Sequence, residues 1–145
     1  MEKRINIFSD SWYWSWNHSL KSQPDKESVE LPSMKWFLED FGYQVTEYCK
    51  PADCFQHIVD KYFRKEDFLP NADYSFLFFS GILRRYNSDW LDYVGDYDKF
   101  NEWYDTELNF NLDIVERWAT KHNHPVIIAG GHSQIDAKYI EGRKN

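Results

Sequence analysis

Two hydroxyls flank a carboxylate near the start of the chain: Ser9-Asp10-Ser11 follows the apolar-alternating run Arg4-Ile5-Asn6-Ile7-Phe8 and runs on into Trp12. A histidine, His132, stands far downstream, where a second apolar run ends in Gly130-Gly131. A serine hydroxyl becomes a nucleophile when a base within hydrogen-bond reach takes its proton and a third group orients that base. Ser11, His132 and Asp10 are the residues with the types for such acyl transfer, and Asp136 or Asp53 would orient His132. The same residues also suit quieter work. Asp10 or Ser11 can cap a following segment by accepting a backbone N–H, and His132 can simply close a Gly-Gly turn. Arg84-Arg85 would grip a carboxylate or phosphate with paired N–H groups, or pair with neighbouring acids. Trp12, Trp14 and Trp16, on alternate residues, either line a pocket for a flat or sugar-like ligand or pack as core or lid.

These residues need elements to position them, and the hydrophobic pattern supplies alternating strands and helices. Residues 5–9 read as a strand, and 11–30 as a polar, aromatic loop. A helix is predicted over 31–42, with Pro32 in its first turn, Met34, Phe37, Leu38 and Phe41 at helical spacing, and Gly42 as the stop. Residues 44–49 alternate as a second strand. Residues 52–65 form a helix with Phe55, Ile58, Val59, Tyr62 and Phe63 on one stripe. Residues 73–80 hold a continuous apolar run, the mark of a strand buried on both faces. Residues 96–121 carry a long helical pattern, and 125–129 a fourth strand. His122 and His124, at the end of that helix, are expected to serve its dipole as cationic side chains. The tail over 140–145 reads as a frayed end.

Strand alternating with helix predicts right-handed crossovers and a mainly parallel sheet between two helical layers, a three-layer α/β/α domain spanning residues 1–145. The expected strand order is 2-1-3-4, the flavodoxin-like arrangement, with its switch point between strands one and three. Four segments then meet at one edge of the sheet: Ser9-Asp10-Ser11-Trp12, Lys50-Pro51-Ala52-Asp53, Ser80-Gly81-Ile82-Leu83-Arg84-Arg85 and Gly130-Gly131-His132. No G-x-G-x-x-G, G-x-x-x-x-G-K-[ST] or G-x-S-x-G pattern follows any strand, which removes the Rossmann, P-loop and nucleophile-elbow readings.

Composition bounds the partners. The net charge of −7 argues against binding a nucleic-acid backbone through a general basic field. No apolar stretch approaches the roughly 20 residues that cross a bilayer. Cys49 and Cys54 do not form a C-x-x-C pair, and His57 is the one further metal-ligand type nearby, so reduced thiols, no metal and a cytoplasmic compartment are expected. Aromatic residues, at 19% of the chain, bury large areas or make adhesive surfaces.

Phe8-Ser9-Asp10-Ser11-Trp12 resembles the first block of the SGNH/GDSL hydrolase family, Gly-Asp-Ser, in the version followed by Trp in phage and bacterial members. The resemblance implies that Ser11 is the nucleophile of an ester hydrolase. It places Asp53 and its neighbours where the family's second block gives a backbone N–H to the oxyanion hole. Ser80-Gly81, with Arg84 close behind, stands where the third block follows strand three. Ser9, Trp12, Asp53, Ser80, Gly81 and Arg84 thereby become substrate or oxyanion residues. The departures are specific. Ser9 replaces the family's Gly, the second block lacks its Gly, the third lacks the Asn of Gly-x-Asn-Asp, and no Asp lies three before any His. The family's last block follows a further helix and strand that have no counterpart here, which leaves His132 as the substitute base.

Three functions fit these residues. The first is an SGNH-type serine hydrolase acting on a small-molecule ester without a cofactor. The second is a catalytically inactive, acidic relative that binds a protein partner, of phage-accessory or inhibitor type, through aromatic residues in an acidic frame between 89 and 105. The third is an unrelated flavodoxin-like domain in which a flavin stacks on the tryptophans, although Ser9, Ser11 and Ser15 match a phosphate loop poorly. An exposed edge on strand four predicts a homodimer.

Overall fold

The computed structural model describes residues 3–9, 34–49, 54–79, 95–130 and 134–144. Its four strands, β1 (Lys3–Ser9), β2 (Tyr43–Cys49), β3 (Tyr74–Phe79) and β4 (Val126–Gly130), form one sheet in the order β2-β1-β3-β4. Every pairing is parallel, with Ser9 opposite Cys49, Phe8 opposite Leu77 and Phe79 opposite Gly130. The α-helices among the described residues are α1 (Met34–Asp40), α2 (Phe55–Ile58) and α3 (Tyr97–His122). The chain steps from β1 outward to β2, then crosses back over β1 to β3, so the topological switch point falls between β1 and β3. The expected fold class and strand order hold.

Side-chain alternation along β1 divides the core in two. Ile5 and Ile7 join Val45, with Leu38 of α1 packed against them. Phe8 points to the opposite face, into a larger cluster with Phe55, Ile58 and Val59 of the second helical segment and Leu108, Leu112, Val115 and Ala119 of α3. Much of the aromatic content is spent here. Phe8 stacks on Tyr48 with ring centres 4.8 Å apart, and Phe63, Tyr62 and Phe68 close around it at 5.0, 5.2 and 5.9 Å.

Local signals explain where the helices stop and start. Gly42, at φ +84°, takes the left-handed conformation that ends α1, and its N–H donates to Glu39. The Asp96 carboxylate accepts the Lys99 N–H at 3.1 Å and caps α3, while Asn123, at φ 48°, closes it. The helix expected over 52–65 is α-helical only to Ile58 and continues as a π turn, Val59–Phe63, closed by the Arg64 N–H on the Val59 carbonyl.

Three expectations are corrected. Strand β3 is not buried on both sides: Ser75, Leu77 and Phe79 are buried, whereas Tyr74, Phe76 and Phe78 on the α1 side are half-buried. His124 is no exposed cation at a helix end. It is 3% exposed, and its ring bonds Ser75 Oγ at 2.8 Å. Nor do residues 140–144 fray. Arg143 donates to Asp113 at 2.7 Å, Glu116 at 3.1 Å, Asn109 at 3.0 Å and the Tyr139 carbonyl at 2.6 Å, and Tyr139 donates to Asp105, binding the tail along α3. The contacts of His124 with Ser75, and of Arg143 with Asn109, Asp113 and Glu116 on α3, join side chains remote in sequence, which helical or strand periodicity cannot report.

Candidate functional site

Because all four strands are parallel, Ser9, Cys49, Phe79 and Gly130 end at the same edge of the sheet, the edge where open α/β sheets hold their ligands. β1 occupies an interior position there, between β2 and β3. Its final residue, Ser9, is 1% exposed and falls on the Ile5–Ile7 side of the strand. Of the residues singled out from sequence for this site, Ser9 and Asp136 are described; the Asp136 carboxylate accepts the Lys138 N–H at 3.0 Å and caps the short turn Ala137–Tyr139. Asp10, Ser11, Trp12, Trp14, Trp16, Asp53, Ser80, Gly81, Arg84, Arg85 and His132 lie outside the described residues.

The chain enters α2 directly beyond this edge. Cys54 precedes the helix in extended conformation with no side-chain cap, so first-turn N–H groups are left for other acceptors. Gln56, in that first turn, is 2% exposed; its carbonyl oxygen takes a long contact from the Cys54 thiol at 3.9 Å, and its amide nitrogen has no partner. A buried amide N–H without an acceptor costs about 1–3 kcal/mol, so Gln56 stands out in an otherwise apolar surrounding. Sequence reasoning passed over it. The one signal was a polar residue beside Phe55 in an otherwise apolar stripe. Phe55 itself packs edge-on against Phe79 at the end of β3, tying the start of α2 to the strand edge.

A serine–histidine pair does occur among the described residues, but at the opposite, amino edge of the sheet. Ser75 and His124 are within hydrogen-bond distance, yet Ser75 is fully buried and His124 nearly so. Burial pushes the His124 imidazole below its ordinary range, His122 adds to that, and Asp73 opposes it. Asn6 lies beside Ser75 in register, is fully buried, and has neither amide atom partnered. This polar layer has no access for a substrate and reads as structural. Tyr139 is held well above its ordinary value by burial first and by its hydrogen bond to Asp105 second, so it stays a neutral donor. No cluster of His, Cys, Asp and Glu suited to a metal ion occurs among the described residues. No helix among them is long and apolar enough to cross a membrane.

No sequence-family model matches this chain, and no curated protein sequence matches it significantly. Its fold is nevertheless similar to solved hydrolases. A mutant of the esterase AlinE4 matches with a TM-score of 0.50 and 14% identity, over 96% of this chain and 65% of that one. Native AlinE4, an SGNH-hydrolase family esterase, gives 0.48 and 12%, over 88% and 58%. A lipase/acylhydrolase from Enterococcus faecalis gives 0.38 and 14%, over 86% and 74%. The chain thus spans about three-fifths of the length of the AlinE4 structures. At these identities the likeness is one of fold alone, a parallel sheet flanked by helices.

Proposed function

We propose that this chain is an SGNH-type ester hydrolase in which Ser11 is the nucleophile and His132 the base. The observation that carries the reading is positional. Ser11 follows by two residues the carboxyl end of β1, the strand beside the switch point of a sheet shared with such esterases. In this mechanism His132 takes the Ser11 hydroxyl proton as the serine oxygen adds to the ester carbonyl carbon. The bond to the alcohol oxygen then breaks as His132 returns the proton to it. Water, deprotonated in turn by His132, releases the acid from the serine. Asp10 acts with the pair as the acidic member, and Ser9, Trp12, Asp53, Ser80, Gly81 and Arg84 surround the small-molecule substrate. Gln56 supplies the side-chain amide donor for the developing oxyanion that the missing Asn of the third block would otherwise give. The protein acts in the cytoplasm without a cofactor. The uncharged β4 edge pairs two copies, and a monomer by light scattering at micromolar concentration would refute that pairing.

The test is labelling with a fluorophosphonate probe. Wild type is expected to label, and Ser11→Ala and His132→Ala to lose the label while keeping the far-ultraviolet spectrum of the folded protein. Absence of labelling on folded wild type would end the hydrolase reading. A second reading, a binding protein on the same fold, is favoured by one observation: no Asp stands three residues before any His, the arrangement that orients the base in the family.

A further inference from the structure

At the amino edge of the sheet, away from the strand ends just described, the π turn after α2 and the last turns of α3 enclose a groove of about 430 Å³, within the range of small-ligand sites. Its charge is the reverse of the chain's. Arg64, Lys65, Arg117 and Lys121 line it against one carboxylate, Glu66, in a protein of net charge −7. Among the described residues Arg64 pairs with Asp60 at 3.2 Å, but no carboxylate pairs with Lys65, Arg117 or Lys121. Both helical segments end here, where their carbonyl groups already favour cations. Four cations nonetheless exceed what two exposed helix ends require, and they converge on one concavity.

Two further observations point to an occupant. The Nε2 atom of His122, in the lining, is shielded from solvent and has no hydrogen-bond partner. Phe110, midway along α3, keeps half its surface exposed at the rim, with the Arg64 guanidinium 5.4 Å from its ring centre. A half-exposed ring beside guanidinium and ammonium groups offers a flat surface and a cluster of donors at once. A second concavity along α3 shares Phe110, Arg117 and Lys121 and adds Lys144 together with Asp113 and Glu116, both of which are engaged by Arg143.

We infer that this groove binds a phosphate ester carrying a flat apolar group, of mononucleotide size. The phosphate sits among Arg64, Arg117 and Lys121 beside the His122 ring, and the flat group lies on Phe110. A long polyanion is disfavoured, because the rest of the chain repels it. The inference is independent of Ser11 and His132.

The test is titration of the full chain with adenosine monophosphate, followed by nuclear magnetic resonance of the His122 ring and the backbone amides of residues 110–122. Adenosine and inorganic phosphate are titrated in parallel. Saturable shifts at His122 with a dissociation constant below about 1 mM are expected, weakening as salt rises, with adenosine and phosphate each about tenfold weaker or more. Arg117→Glu and Lys121→Glu, both at exposed positions, should each weaken binding at least about tenfold while leaving the spectrum otherwise folded. No shift at millimolar nucleotide, shifts that survive both charge reversals, or phosphate binding as tightly as the nucleotide would each overturn the inference. Tighter binding of a glutamate-rich peptide than of the nucleotide would overturn it in favour of a protein partner.

Discussion

The two faces of the sheet are made from the same strands, yet they are packed very differently. On the face that carries Phe8, Leu77 and Phe79, the second helical segment and α3 bury all three side chains fully, and rings from the strands, both helical segments and Phe68 lock together. On the face that carries Ile7, Phe76 and Phe78, α1 is the helix among the described residues that packs down, and Ile127 of β4 is left 45% exposed. The strands alternate, so one residue's step along β3 moves a ring from a closed core to a half-open one. Stability is therefore expected to rest on the α3 side. Phe55 on Phe79 ties the start of α2 to the switch-point edge from that side.

The contrast can be broken most severely at Phe8. Phe8→Ala removes a fully buried ring from the centre of the aromatic cluster and is expected to cost about 3–5 kcal/mol in denaturant unfolding. Phe76→Ala, across the sheet at a half-buried position, should cost about 1–2 kcal/mol. An equal loss at the two sites would mean that both faces are equally closed. Arg143→Ala tests how far the docked tail belongs to the stronger side. Arg143 is 18% exposed but Asp113 is 59% exposed, so solvent screening limits the expected loss to about 1 kcal/mol, seen as earlier hydrogen exchange over residues 134–144.

The finest test is a proton. His124 is buried in the α3 face and its folded value lies below 6.5, so the neutral form is the one that the native state favours. The unfolded chain binds the proton first on acidification. The stability contributed by this group is therefore full above about pH 6.5 and is lost as the pH falls through the lowered folded value. Unfolding measured from about pH 7.5 to about pH 5 should show wild type losing more stability than His124→Gln over that interval. Parallel profiles would place the pH sensitivity elsewhere.

The candidate site was legible in a limited sense. Ile5 to Phe8 alternates, Ser9 ends the strand, and the order of elements alone predicted which strand ends meet. Gln56 was not legible, because its interest lies in an unmet hydrogen bond and a sequence shows only a polar residue on an apolar stripe. The basic groove was equally hidden. Arg64-Lys65 and Arg117 to Lys121 are separated by more than a third of the chain, and only the packing of α3 across the π turn brings them together.

What the sequence determined by itself was local: the positions of strands and helices, the stop at Gly42, and through strand–helix alternation the parallel sheet. These follow from backbone preferences and from hydrophobic spacing within a few residues. The tertiary structure alone decided that His124 would be buried against Ser75 and that Arg143 would bind Asp113 and Glu116. It also decided that one face of the sheet would close more tightly than the other. Those outcomes depend on which distant surfaces exclude water from each other, and no spacing along a single chain encodes that choice.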